Sequence, residues 1–174
     1  IDEELGTTQN KLRAFTIDNG TEWTRVHNYD VSIAKSGQLA IFTDPVITAG
    51  AYWIFGKGDD GTIYWYDMDT GLEIDRFLGA PDTPNGGLAI HPTDHYLYTM
   101  HCTNGSTDET VIYKYGIDDS NTGEYKQLVD SFTTGYRTEY GELTIGGLNE
   151  NLFMTAHGKK SGPAEVGSIV QFQT

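Results

Sequence analysis

Asn85-Gly86-Gly87-Leu88-Ala89-Ile90-His91-Pro92-Thr93-Asp94-His95-Tyr96-Leu97-Tyr98 reads as two short strands around a tight turn. Apolar residues alternate on both sides, glycines lead into the first strand, and Pro92-Thr93-Asp94 punctuates the middle. Two other stretches line up with its first strand, Val31-Ser32-Ile33 and Leu143-Thr144-Ile145, so that Ile33, Ile90 and Ile145 stand 57 and then 55 residues apart. Each is followed by a turn (Lys35-Ser36-Gly37, Pro92-Thr93-Asp94, Gly146-Gly147-Leu148) and then by a second apolar strand: Leu39 to Phe42, Tyr96 to Tyr98, Asn151 to Met154.

A third strand recurs around the aromatics Phe15, Tyr66, Tyr115 and Phe172. In the first three copies an Asp opens a polar turn, and a fourth strand returns over Glu22 to Val26, Leu72 to Phe77 and Tyr125 to Phe132. Four short antiparallel strands in each unit of roughly 50 residues is the blade pattern of a β-propeller. The expected class is therefore all-β, with blade boundaries at 11–28 (a fragment), 29–79, 85–132 and 136–174 (a partial blade). Lettering the strands a to d outward from the central channel, the chain reads c-d, a-b-c-d, a-b-c-d, a-b-c. A propeller closes with about four to eight blades, so the ring is incomplete in this chain. The expected partners are the remaining blades of the same propeller or further copies of the chain. Ile33, Ile90 and Ile145 are expected to be equivalent buried positions. The opening at Ile1, without an initiator Met, predicts a processed or excised segment.

Composition agrees with strands joined by tight turns: 11 Tyr, 7 Phe and 21 Gly in 174 residues. A formal net charge of −14 argues against nucleic acid or an anionic membrane as partner. Cys102 stands alone, so no intrachain disulfide is possible. The sequons at Asn19 and Asn104 mark expected glycosylation sites and favour an extracellular location, with a cytoplasmic one as the alternative. No metal site and no cofactor are expected. Asp67, Asp69 and Glu73 around Gly71 resemble a calcium loop only loosely, and a turn-forming Asp explains them.

Antiparallel order puts the d-to-a and b-to-c connections at one face, around the channel mouth. Arg137 is the first candidate there, because its guanidinium can hold a carboxylate in bidentate fashion; the alternative is a surface pair with Glu139 or Glu142. His101 and His157, near the ends of two b strands, are candidate acids, bases or ligands, or ordinary polar residues. Tyr29, before the first a strand, joins Arg137, Glu139 and Glu142 as a candidate ligand-binding residue. Cys102 reads as an inert filler.

The run from Asn85 to Tyr98, and the later stretch Tyr136-Arg137-Thr138-Glu139 leading through Leu143-Thr144-Ile145 to Leu152-Phe153-Met154, resemble hairpins of the lactonase-type seven-bladed propellers. The resemblance is greatest to the fungal 3-carboxy-cis,cis-muconate cyclases, over residues 85–172. It implies a small carboxylate substrate held at the channel mouth by Arg, His and Glu, and a lactonizing cycloisomerase or lactonase activity. Only Arg137 matches that set. Gly86 stands where the family has an Arg, His101-Cys102 where it has a Glu, and Tyr29 is nearest to its His. Without the anion-binding Arg and the acid/base carboxylate, substrate positioning and proton transfer both suffer. The expectation is a diverged, extracellular module with a binding or structural role, and the lactonizing or lactone-hydrolysing enzyme is the alternative.

Overall fold

The computed structural model describes residues 10–18, 22–31, 39–43, 52–57, 61–67, 70–79, 86–101, 109–117, 126–136, 141–147, 149–156 and 168–173. Every regular element among them is a strand. β1 (Asn10–Asp18) and β2 (Glu22–Val31) form the first sheet. β3 (Leu39–Thr43), β4 (Tyr52–Lys57), β5 (Thr62–Asp67) and β6 (Glu73–Leu78) form the second. The third is β7 (Leu88–Ile90), β8 (Tyr96–His101), β9 (Val111–Gly116) and β10 (Leu128–Thr133). The fourth is β11 (Leu143–Gly146), β12 (Asn151–Ala156) and β13 (Ser168–Phe172). Each strand pairs antiparallel with its chain neighbour, so every sheet is a meander. The all-β blade architecture stands, and the described strands do not close into a barrel or ring.

The first full blade is assigned differently from the sequence expectation. Its inner strand is β3, not Val31-Ser32-Ile33, and its second strand is β4, not Leu39 to Phe42. Val31 is the last residue of β2, paired with Asn10, so the first sheet runs on through Tyr29. Ile33 lies outside the described residues. The equivalent position is Ile41: Ile41, Ile90 and Ile145 pair with Ile54, Leu97 and Leu152, which in turn pair with the recurring aromatics Tyr66, Tyr115 and Phe172. The physical reason is degeneracy. An apolar–polar–apolar triplet before a Lys-Ser-Gly turn satisfies the strand pattern as well as the true one does, and period-two alternation carries no chain address.

Aligned on the pairing, the three c–d hairpins share an irregularity. A register shift falls between Ala14 and Phe15 opposite β2, between Trp65 and Tyr66 opposite β6, and beside Tyr115 opposite β10. Each time the d strand carries one extra residue, Val26, Ile74 or Val129, directly beside the recurring aromatic. A bulge at the same place in three hairpins is a designed feature that increases local twist.

Sheets two, three and four pack through alternate faces. Ala40, Ile63, Trp65 and Phe77 of the second sheet meet Leu88, Ile90, Leu97, Tyr113, Tyr115 and Ile117 of the third. The opposite face of the third sheet, with Ala89, Tyr98, Met100, Ile112 and Phe132, meets Leu143, Ile145, Leu152, Met154, Val170 and Phe172 of the fourth. Period-two alternation thus sends successive residues of each strand of the middle blade to different neighbours, and both sets are apolar. Each such side chain, fully buried, stabilises by about 1.5–3 kcal/mol. Ile90 and Ile145 are half-buried, and Leu88, Ala89 and Leu143 beside them are the buried inner-strand residues. The same ring contact closes both interfaces: Phe77 against Tyr115 at 5.6 Å and Phe132 against Phe172 at 5.3 Å between centroids.

At the other end of the third sheet, His91 is buried at the β7–β8 turn. Its Nδ1 accepts hydrogen bonds from the Thr93 and Asp94 amides (3.4 and 3.2 Å), and its Nε2 faces Glu150 of the next blade at 3.6 Å. The Asp67 turn is equally local. Its Oδ1 accepts from the Thr70 amide and hydroxyl at 2.7 and 2.9 Å, and Gly71 adopts φ +69°. Glu73 binds Arg76 instead, at 2.6 Å. Asp67 is therefore a turn-former, as expected for an Asx-type turn.

Candidate functional site

The inner strands begin at a repeated motif: Gly37-Gln38-Leu39-Ala40-Ile41, Gly86-Gly87-Leu88-Ala89-Ile90 and Gly141-Glu142-Leu143-Thr144-Ile145. Its glycine is a spatial requirement. A Cβ on Gly86 would lie 1.9 Å from the Met100 carbonyl oxygen, and one on Gly141 would lie 2.6 Å from the equivalent Thr155 oxygen. Gly86 also adopts φ +150°, which an L side chain resists. The following residue carries the ladder: Met100 N–H donates to the Gly87 carbonyl (2.9 Å) and Thr155 N–H to that of Glu142 (3.0 Å). A Cβ on Gly87 would fall 2.0 Å from the Leu143 amide nitrogen, so the starts of β7 and β11 touch backbone to backbone.

The same end of the third sheet holds three other strand termini. His101 closes β8, paired with Val111, its ring edge-on to Tyr113 at 6.4 Å and 85°. Burial pushes the Tyr113 hydroxyl above the usual tyrosine range. Thr110, next to Val111, ties down the way out of β10: its N–H donates to the Tyr136 carbonyl (2.8 Å) and its carbonyl accepts from Thr134 N–H (2.9 Å). The Thr134 hydroxyl completes the clasp, accepting from Tyr136 N–H (3.2 Å) and donating to the Tyr136 carbonyl (3.3 Å). Tyr136, the residue before Arg137, is thus held at a fixed point between β10 and β11. Thr110 is fully buried, and its hydroxyl has no hydrogen-bond partner among the described residues. Glu142 is exposed, its amide donating to the Thr155 hydroxyl at 3.1 Å.

Of the residues singled out from sequence, His101 and Glu142 lie at this end, at the termini of β8 and β11. Arg137, Glu139, His157, Cys102, Asn19 and Asn104 lie outside the described residues. Tyr29 is corrected. It is not in a connection to an inner strand but within the outer strand β2, opposite Leu12. That is the register position of Phe77 opposite Ile63 and Phe132 opposite Ile112, the rings that close the blade interfaces. Comparison with known proteins finds no family model and no curated sequence that matches the chain. Among the described residues, no three His, Cys, Asp or Glu side chains are grouped to hold a metal ion, and no helix is long and apolar enough to cross a membrane.

Sequence reasoning missed the Thr110–Thr134–Tyr136 clasp and the Gly-x-Leu-x-Ile entrance. The second had a visible signal, because Leu39-Ala40-Ile41 repeats Leu88-Ala89-Ile90 letter for letter. The first had none, since its bonds run through backbone atoms of any residue type and two threonines of ordinary appearance.

Proposed function

We propose that this chain is a module of an extracellular, lactonase-like β-propeller, diverged from the carboxymuconate cyclases, which binds a small carboxylate at the inner-strand end of its blades. The observation that carries this reading is the backbone contact between the starts of β7 and β11, beside the clasp that fixes Tyr136. That contact draws the strand termini of two blades together at one end, and the residue following the clasp is Arg137. In a chain of net charge −14, a guanidinium fork is the group best suited to attract an organic acid. Glu142 and His101 at the same end would orient the remaining polar groups of the ligand.

Titration of mono-, di- and tricarboxylates against the native assembly tests this. Arg137→Lys keeps the charge and loses the fork, and should weaken binding by about 1–3 kcal/mol. Absence of carboxylate binding, or unchanged affinity in that variant, overturns the reading and leaves a purely structural module. The enzyme alternative rests on His101 beside Tyr113, a candidate proton-transfer group near the same end. Turnover of a muconate or lactone panel, lost in His101→Gln, decides it.

A further inference from the structure

β6 and β10 are the outer strands of the second and third sheets, and among the described residues each pairs on one side only. Alternation along the ladders identifies which of their amides face outward. Gly79 N–H donates to the Gly61 carbonyl (3.1 Å) and Thr134 N–H to that of Thr110 (2.9 Å). Counted two residues at a time from there, Phe77 in β6 and Phe132 in β10 also turn their backbone groups inward, to β5 and β9. Arg76 and Ser131 therefore turn theirs outward. These two hold the same register position, opposite Tyr64 and Tyr113, near the middle of their strands. In both, a carboxylate of the preceding residue takes up the outward amide: Arg76 N–H donates to Oδ1 of Asp75, and Ser131 N–H to Oδ1 of Asp130, each at 2.8 Å. The aspartates are themselves equivalent, opposite Trp65 and Lys114.

We infer that Asp75 and Asp130 are edge guards: each carboxylate occupies the central outward amide of its strand and so prevents antiparallel pairing with the same strand of a second copy of this chain. The need is physical. An unpaired outer strand is a template for another, and Leu72 and Leu78 at the two ends of β6 are 68% and 75% exposed. Two copies meeting edge to edge would have to hand each outward amide to a facing carbonyl. A hydrogen bond to an ionised acceptor must be given up first, and the guards bring like charges to the same gap. Asp75 is further held by Lys126 of the third blade, which pairs with its Oδ2. The inference rests on strand pairing alone, so it stands or falls independently of the carboxylate reading above.

The test compares the chain with its Asp75→Ala/Asp130→Ala and Asp75→Asn/Asp130→Asn variants. Both remove the same charge, but only Asn keeps an acceptor for the amide. Sedimentation across a concentration series should show the Ala variant gaining mass beyond the parent chain, while the Asn variant follows the parent. In dilute samples of equal mass, residue-resolved hydrogen exchange at Arg76 and Ser131 should be about tenfold faster in the Ala variant only. Lys126→Ala, which removes the ion pair and leaves the guard, should not associate. If the double variant does not fold by circular dichroism, Asp130→Ala against Asp130→Asn, at an exposed position, carries the same comparison. An Ala variant that gains no mass overturns the inference. So does an Asn variant that associates equally, because charge and not the amide bond then keeps the edges apart.

Discussion

Ile112 and Ile169 occupy the same place in consecutive blades, yet one is sealed and the other stands in solvent. Both follow a small or β-branched residue, and both sit in a c strand three positions before the recurring aromatic. What differs is the neighbour. Ile112 is enclosed by the fourth sheet and by Phe132 across the ladder, whereas Ile169 has no such cover among the described residues. The blade sequence thus encodes a surface, and its partner decides whether that surface is core. In a repeat architecture stability resides largely in nearest-neighbour interfaces.

The comparison can be broken at several points. Ile112→Ala should cost about 2–5 kcal/mol, as for a large-to-small change in a closed core, measured by urea unfolding. Loss well below that range would mean that the interface between sheets three and four is loosely packed. Gly141→Ala should cost about 1–3 kcal/mol by overpacking, because the new methyl meets both the Thr155 carbonyl and the tip of Met100. A neutral result there would show that the inner strands have room to separate. For the ring pairs, a double-mutant cycle on Phe77 and Tyr115, and another on Phe132 and Phe172, should each return about 0.5–1.5 kcal/mol of coupling. Unequal values would deny that the two interfaces are copies. Smallest of all, Ile169→Ala should change stability by less than about 0.5 kcal/mol in the isolated chain. A cost like that of Ile112→Ala would show that the exposed face is covered in solution.

The class of fold and the c–d hairpins were legible because their signals are redundant: alternation, aromatic spacing and an Asp-led turn all agree at Phe15, Tyr66 and Tyr115. The inner strands are only three to five residues long, so one apolar triplet weighs as much as another, and Ile33 stood in for Ile41. The place of Tyr29 shifted for a related reason: the expected inner strand at Val31 put it in a connection, whereas its register opposite Leu12 puts it in β2. The gathering of strand termini at one end was legible, since antiparallel order alone dictates which of them meet there. The clasp around Tyr136 was not, because backbone-to-backbone bonds leave no mark on residue choice beyond Thr110 and Thr134.

The bulge shared by the three c–d hairpins has a consequence for how such a chain can change over time. Because Val26, Ile74 and Val129 each sit in the outer strand at the same offset from the aromatic, the three hairpins carry the same phase of inward and outward residues. A one-residue mismatch would turn every side chain of the strand to the wrong face. Hairpins with a common phase can be traded for one another by recombination between repeats without that penalty. The irregularity that interrupts each ladder is therefore also what makes the blades interchangeable cassettes, open to duplication and loss as whole units.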